Sequence, residues 1–364
     1  MNNELLEIEV MRFPRVLVIY NEPVLPKDHP DAASEHDIIA TSELIEKILQ
    51  EGGFPTRRIG VSTDPQVLLD ELRNSPPDAV FNLFEGLANQ TATEISVVGM
   101  LEWLNIPFTG SPSFAIAVGR DKIRTKFLLQ GAGLPTPDFA VVEQMPCPRW
   151  TYEWPAIVKP ACQDSSVGIE QSSVVVNQEQ LEKRVNYILN RYQGPALIEQ
   201  FVFGREFHVN IIEDPGDSPT RPIMTMIPLA EVRFEYESGR RFWPIYSYNA
   251  KWNIETEEYL GTPLDTEVEL PTPLADRIRR ICREAFRLTG LRDYGRVDIR
   301  LSEDGMPSIL EVNPNPYLNS IALLDGFKTL GRSHSDFIVE MIWAALGRSG
   351  KNWARPARRA TARA

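Results

Sequence analysis

Cysteine is almost absent from this sequence of 364 residues: three are present, Cys147, Cys162 and Cys282, widely separated and without metal-ligand spacing. That scarcity excludes a disulfide framework and a cysteine-built zinc site, and it fits a reducing cytoplasm. Long apolar runs are missing as well. No segment approaches the roughly 20 residues a membrane helix needs, since even the stretch from Phe337 to Leu346 is broken by Glu340. The N-terminus mixes Glu4, Glu7 and Glu9 with Leu5, Leu6 and Ile8, which does not read as a secretory signal. A soluble, cytoplasmic protein with no membrane partner is expected. Surplus positive charge is also lacking: the formal net charge is -12, and phosphate backbones select basic faces, so nucleic acid is not the expected partner. Neither a Walker loop nor a Gly-x-Gly-x-x-Gly turn occurs, which removes the two commonest nucleotide motifs.

What is present is the composition of a globular protein, 43% hydrophobic and 24% charged, in a chain long enough for two or three units. The run Val16-Leu17-Val18-Ile19 predicts a buried strand. A helix follows, with Ser34 as its expected N-cap, Ile38, Leu44, Ile45, Ile48 and Leu49 on one face, and Gly52-Gly53 as its stop. A strand at 79–83, a helix around 94–104 and a short strand near Phe108 continue the alternation, which argues for a parallel α/β sheet. A helix at 121–130 ends at Gly131-Ala132-Gly133, and Pro135 and Pro137 mark a linker. Beyond it come short β-rich runs at 156–159, 167–169, 174–176 and 196–202 around a helix at 179–191, an α+β pattern. Strands near 207–212, 223–232 and 297–312, with helices at 274–288 and 335–346, make a third section. The units expected are therefore 1–120, 121–203 and 204–348, with a basic, disordered tail at 349–364.

The densest chemistry lies at Arg296-Val297-Asp298-Ile299 and Leu310-Glu311-Val312-Asn313. If Asp304-Gly305 is a two-residue hairpin loop, Asp298 falls opposite Glu311, Arg296 opposite Asn313, Val297 opposite Val312 and Ile299 opposite Leu310. The period of two then puts the polar four on one face and the apolar four on the other. Facing carboxylates repel, and oxygen ligands from Asp298, Glu311 and Asn313 suit a hard cation such as Mg²⁺. Arg296 could meet negative charge developing on a substrate. On the hairpin alone, an arginine that merely neutralises two acids on a solvated face explains the pattern equally well.

Upstream, Lys159 ends the apolar strand Ala156-Ile157-Val158 and precedes the polar loop Gln163-Asp164-Ser165-Ser166-Val167-Gly168. A lysine beside a loop of hydroxyls and backbone N–H groups suits a triphosphate, although a surface lysine and an ordinary turn would look much the same. Glu199 and Glu206 end or begin neighbouring strands, where they could read an exocyclic amine and ribose hydroxyls. Each alone could equally be an exposed charge at a strand end.

The order of these elements resembles the ATP-grasp superfamily and, within it, the D-alanine:D-alanine ligases. The matching stretches are Phe108-Thr109-Gly110-Ser111, Asp121-Lys122 with Thr125-Lys126, Ile157-Val158-Lys159-Pro160, Ser165-Ser166-Val167-Gly168, Ile198-Glu199, Gly204-Arg205-Glu206, Tyr248-Asn249-Ala250-Lys251, Arg296-Val297-Asp298 and Glu311-Val312-Asn313. The resemblance implies an ATP-grasp fold, mixing α/β and α+β units, behind an N-terminal Rossmann-like parallel-sheet domain. It implies that Lys122, Lys159 and Ser166 contact ATP, that Glu199 reads the adenine and Glu206 the ribose, and that Lys251 meets the transferred phosphoryl group. Asp298, Glu311 and Asn313 would bind Mg²⁺, with Mn²⁺ as a substitute. Arg296 would stabilise the tetrahedral intermediate, Ser165 and Tyr248 would organise the loop over the first substrate, and Glu35 would hold a substrate amino group. Amino acids or small peptides would be joined through an acyl phosphate, by a homodimer assembled through its first unit. A phosphotransferase using the same ATP site, or a non-catalytic nucleotide-binding module, remain the alternatives.

The sequence departs from the family where the acceptor is gripped. Pro314-Asn315-Pro316-Tyr317-Leu318-Asn319-Ser320-Ile321 replaces a Pro-Gly-Met-Thr segment, with Tyr317 in place of glycine, and Asp164 replaces a glycine of the phosphate loop. Nucleotide chemistry is therefore better supported than D-alanine as the substrate.

Overall fold

A computed structural model describes residues 13–26, 36–87, 90–192, 194–214, 222–236, 242–351 and 353. Ser34, Glu35 and most of the basic tail lie outside these residues.

The chain opens with three parallel strands in the order β2-β1-β3: β1 (Val16–Asn21), β2 (Thr56–Val61) and β3 (Ala79–Leu83). Parallel neighbours need crossovers, supplied here by α1 (Ile38–Glu51) and α2 (Gln66–Asn74). β1 and β3 read as continuous apolar runs because both their faces are covered. Val16, Val18 and Phe81 pack with Ile45 and Leu49 of α1, while Leu17, Ile19 and Val80 pack with Leu68 and Leu72 of α2. The short strand expected near Phe108 is a single parallel bridge to Val80. Then follow α3 (Thr93–Trp103), α4 (Ser113–Arg120) and α5 (Lys122–Gly131), the last capped by Asp121, whose side chain accepts the Arg124 N–H at 2.9 Å.

A four-stranded antiparallel sheet comes next, order β4-β7-β5-β6, from β4 (Phe139–Val142), β5 (Ala156–Pro160), β6 (Val174–Val175) and β7 (Ala196–Gln200). Leu181, Val185 and Ile188 of α6 (Gln178–Arg191) cover one face of it. The strand expected at 167–169 is instead part of a loop whose Ser165, Ser166 and Gly168 have φ of 54°, 62° and 76°, a left-handed geometry incompatible with a strand.

The third sheet is built on β8 (Gly204–Asp214), with β9 (Ile223–Met226) at its far end, β10 (Ala230–Val232) and β11 (Leu264–Asp265) on one side, and the hairpin β12 (Tyr294–Ser302) and β13 (Pro307–Pro314) on the other. Two short helices, α7 (Tyr248–Trp252) and α8 (Glu257–Leu260), precede the long α9 (Thr272–Leu288), whose Ile278, Ile281, Cys282 and Phe286 seal the underside. The chain ends in α10 (Ile321–Thr329) and α11 (His334–Arg348).

Two segments cross the boundaries drawn from sequence. Leu129 and Leu134, from α5 and the turn after it, pack under the third sheet rather than with the four-stranded one. Phe337, Ile338, Met341 and Ile342 of α11 pack against Val16 and Val18 of the first sheet. A polar clamp secures that return: Asp293, 2% exposed, receives Nη1 of Arg348 at 2.7 Å and the Gly110 N–H at 2.8 Å, and Arg348 also reaches the Phe108 carbonyl at 2.9 Å. One cleft is lined by residues from widely separated parts of the chain, among them Ile38 and Glu94, Lys159 and Glu199, and Asp298 and Glu311.

Candidate active site

Alternation along β8 and β12 builds the floor of that cleft. Phe207, Val209, Ile211, Val297 and Ile299 point into the core beneath, so Glu206, His208, Asn210, Arg296, Asp298 and Arg300 must point the other way, and all six line the cleft. Its volume is about 740 Å³, sufficient for a nucleotide and a small second molecule. The strand register arranges these residues in rows: Glu206 beside Arg300, His208 beside Asp298 and Glu311, and Asn210 beside Arg296 and Asn313.

The hairpin reaches this register by a route the sequence does not announce. Its loop has three residues, 303–305, closed by the Ser302 N–H to the Met306 carbonyl at 3.0 Å, with Gly305 at φ 79°. That length puts Ile299 opposite Ile309, not Leu310. A bulge between Asp298 and Ile299 then restores the expected pairs Asp298 with Glu311, Val297 with Val312 and Arg296 with Asn313. The bulge also exchanges two side chains. Ile309 takes the core position and Leu310 lines the cleft.

Charge is concentrated on this floor and mostly paired. Arg296 grips Asp298 through Nε at 2.7 Å and Nη2 at 2.9 Å, and the Asn313 Nδ2 donates to Asp298 at 3.0 Å and to Glu311 at 3.3 Å. Burial pushes the Asp298 carboxyl up to about 6, against the pull of Arg296, and its neighbour Glu311 adds to the rise. For Glu311, burial is outweighed by Lys122, Arg296 and Lys159, which hold it well below the usual carboxylate range. His208 is kept neutral by burial and by the positive charges of Arg296 and Lys251. Burial, with Arg296 close by, lowers Lys251 to about 8.

The residues expected at the nucleotide sit above and behind this floor. Lys159, Ser165, Ser166, Glu199 and Lys251 line the cleft. Lys122 lies at its back, where Nζ meets the Gln163 carbonyl at 2.8 Å, Glu311 at 3.1 Å and Asp164 at 3.3 Å. It thus ties the phosphate-loop candidate to the carboxylates. Asp164 is further held by Arg120 at 2.6 Å, the loop's Ser166 hydroxyl donates to the Tyr246 carbonyl at 2.8 Å, and Trp252 Nε1 donates to the Ser165 carbonyl at 3.0 Å. Tyr248 is not among the lining residues; its backbone N–H donates to the Ile169 carbonyl at 3.0 Å, at the exit of the loop. Glu199 is buried between Lys159, at 2.6 Å, and Lys126. Glu206 is buried against Arg300, whose Nε lies at 2.9 Å.

Arg300, Lys126 and Arg120 had no role assigned from the sequence. The first continues the alternation of Arg296 and Asp298 by one more step, and the second follows Lys122 by one helical turn, so both were open to periodicity. Arg120 carried no local signal, since its partners Glu94 and Asp164 are distant in sequence.

Among the described residues no three His, Cys, Asp or Glu side chains converge as a metal cluster. The set here is two carboxylates and an amide, with Arg296 drawn to Asp298 and Lys122 to Glu311. Such a set fits Mg²⁺, which takes few protein oxygens and completes its shell from phosphate and water.

Residues 128–343, more than half of the chain, match the family described as D-ala D-ala ligase C-terminus. The chain is 34% identical over 276 residues to a D-alanine--D-alanine ligase of Xanthomonas axonopodis pv. citri, covering 74% of this chain and 77% of that one. It is 30% identical over 324 residues to the uncharacterized protein y4sG of Sinorhizobium fredii, covering 87% and 88%. Its fold is shared with the crystal structure of the Bacillus anthracis D-alanine--D-alanine ligase complexed with ATP, at a TM-score of 0.71 and 19% identity over 93% of this chain and 99% of that one. The architecture is therefore ATP-grasp behind a Rossmann-like parallel-sheet unit, and the chain belongs to the D-alanine–D-alanine ligase family.

Proposed function

We propose that the cleft binds ATP and joins two amino acids or small peptides through an acyl phosphate. The family makes the chain an ATP-dependent ligase forming carbon–nitrogen bonds; the substrates, the metal and the residue roles are inferred from the cleft. One observation carries the reading: the rows of Glu206, Asp298, Glu311, Arg296 and Asn313 face a loop and two lysines across a single cleft.

In this reading the adenine lies toward Glu199 and Leu310, the ribose meets Glu206, and the phosphates meet Lys159, Lys122 and the loop at Ser165 and Ser166. Asp298, Glu311 and Asn313 hold Mg²⁺, or Mn²⁺, which neutralises phosphate charge when bound. A substrate carboxylate attacks the γ-phosphate, releasing ADP and giving an acyl phosphate; an amine then displaces phosphate. Lys251 meets the transferred phosphoryl group and Arg296 the oxyanion of the tetrahedral intermediate. Little covalent work falls to the protein, which aligns the groups and keeps water from the acyl phosphate. The ties of the loop to Tyr246, Trp252 and Tyr248 serve that exclusion. Glu35, proposed to hold a substrate amino group, lies outside the described residues.

The acceptor end differs from the family pattern. Asn315 adopts φ 46° and accepts the Ser111 N–H at 2.8 Å, while the Tyr317 hydroxyl accepts from Thr41 at 3.2 Å. Those contacts tie this wall of the cleft to the first part of the chain, and the acceptor is D-alanine or another amine. A homodimer through the first unit would cover the exposed Trp103 and Phe114. Among the described residues no helix is long and apolar enough to cross a membrane.

Phosphate release from ATP and Mg²⁺, screened with amino acids of both chiralities alone and in pairs, tests the reading. Release that needs both an acid and an amine is expected. A stable phosphorylated product formed without any amine would replace it with a phosphotransferase.

A further inference from the structure

Lys126 has no part in the scheme so far, although its side chain is 1% exposed and burying an ammonium group is costly unless it is paired. Its Nζ forms an ion pair with Glu199 Oε1, donates to Thr136 Oγ1 at 2.7 Å and reaches the Ile309 carbonyl at 3.3 Å. The Thr136 hydroxyl donates to that same carbonyl at 2.8 Å, and the Ile309 N–H donates to Pro135 at 2.8 Å. Ile309 is the residue before Leu310, at the bulge that turns Leu310 into the cleft. One ammonium group therefore links the carboxylate of β7 to the irregularity of β13.

Glu199 is shared. Its second oxygen, Oε2, is held by Lys159 at 2.6 Å, so two lysines serve one carboxylate and the buried group carries one positive charge in excess. Lys159 is 12% exposed and lines the cleft, whereas Lys126 is enclosed. An arriving phosphate can draw Lys159 away but not Lys126. Once Lys159 has turned, Oε2 is an open acceptor facing the cleft, and Glu199 stays ionised because Lys126 has not moved. The depressed titration of Glu199, to about 2 despite its burial, reflects both lysines.

We propose that Lys126 is the positioning residue for the nucleobase: it is the fixed counter-ion that holds Glu199 ready to accept a hydrogen bond from an exocyclic amine, and the anchor of the bulge that presents Leu310 to the base. The inference rests on the cleft being the ATP site. It predicts discrimination between ATP and inosine triphosphate, which carries a carbonyl oxygen where ATP carries the amine.

The test is the affinity of the full chain for each nucleotide with Mg²⁺, by calorimetry, alongside thermal melting. Wild type should prefer ATP by about 10- to 100-fold, the scale of one hydrogen bond to a charged group. Lys126→Met should bring ATP down to the affinity of inosine triphosphate while leaving the latter nearly unchanged, and Lys126→Arg should keep most of the preference. Thr136→Val, which removes one anchor and no charge, should lose part of the preference in the same direction; if Lys126→Met does not fold, this variant and Lys126→Arg decide. An equal loss for both nucleotides would mean that Lys126 is scaffold only, and unchanged ratios would likewise overturn the proposal. Wild type that binds neither nucleotide would overturn the ATP reading itself, and the inference with it.

Discussion

The two faces of the β8–β12–β13 sheet are made by the same strands from alternate residues, yet they obey different rules. Beneath, Phe207, Val209, Ile211, Val297, Ile299, Ile309 and Val312 are 0% exposed and apolar, and burial alone stabilises them, at about 25 cal/mol per Å². Above, Glu206, His208, Asn210, Asp298 and Arg300 are nearly as buried, between 3% and 7% exposed, but they are polar or charged. Burial there costs free energy, which ion pairs such as Arg296 with Asp298 and Arg300 with Glu206 only offset. A fold keeps such a face for chemistry, because replacing those pairs with apolar residues would often be neutral or stabilising. The lower face should thus answer to mutation in stability and the upper one in activity.

Substitutions on each side can break that contrast. The largest effect is expected from Asp298→Asn or Glu311→Gln: phosphate release by the folded protein falls about 1,000-fold or more, about 4 kcal/mol of barrier, a loss beyond the lower melting temperature that follows from leaving Arg296 or Lys122 without its full counter-charge. Near-normal ATP consumption in either variant would remove these residues from the metal site. The bulge supplies a sharper pair, since Ile309 and Leu310 are adjacent but face opposite ways. Ile309→Ala should cost about 2–5 kcal/mol of stability, as large-to-small changes in a core do, with the activity of the folded fraction retained. Leu310→Ala should leave stability almost intact and raise the KM for ATP several-fold. Equal stability losses in the two variants would show that Leu310 belongs to the core after all.

How far the sequence discloses this site follows from the same contrast. Period-two alternation is a local signal, so the polar row of the hairpin and its pairing partners were legible. Those pairs arise by a different route: the loop is one residue longer than Asp304-Gly305 suggests, and a bulge compensates. Nothing local distinguishes Leu310 from Ile309, because the exchange is enforced by Lys126, Thr136 and Pro135 from another part of the chain. The apolar residues Val167 and Ile169 suggested a strand, yet they sit in a loop whose left-handed turns at Ser165 and Ser166 are tied to Tyr246 and Trp252, some eighty residues away. Likewise, the last helix was visible in sequence but its partner was not, since docking of α11 on β1 spans nearly the whole chain. Resemblance supplied what periodicity could not, the order of the nucleotide-site elements; it did not disclose that Glu199 is shared by two lysines.

The smallest effect separates the phosphate end of the upper face from its carboxylate end. Lys251 carries a proton affinity lowered from 10.5 to about 8 by burial and by Arg296. Below pH 8 it is charged and can meet a phosphate; above pH 8 the unloaded protein loses that charge, so ATP binding should weaken by about 5-fold between pH 8 and pH 9 and approach 10-fold per pH unit only beyond that, the limit for one required proton. By linkage, binding in that range takes up a proton, because the phosphate's negative charge raises the lysine again. Calorimetry in two buffers of different ionisation enthalpy measures this directly. Lys251→Arg, whose guanidinium stays charged throughout, should bind ATP with no uptake and a flat profile. A wild-type profile flat from pH 7 to 9 would mean that Lys251 does not meet the phosphates, and the positive end of the cleft would rest on Lys159 and Lys122 alone.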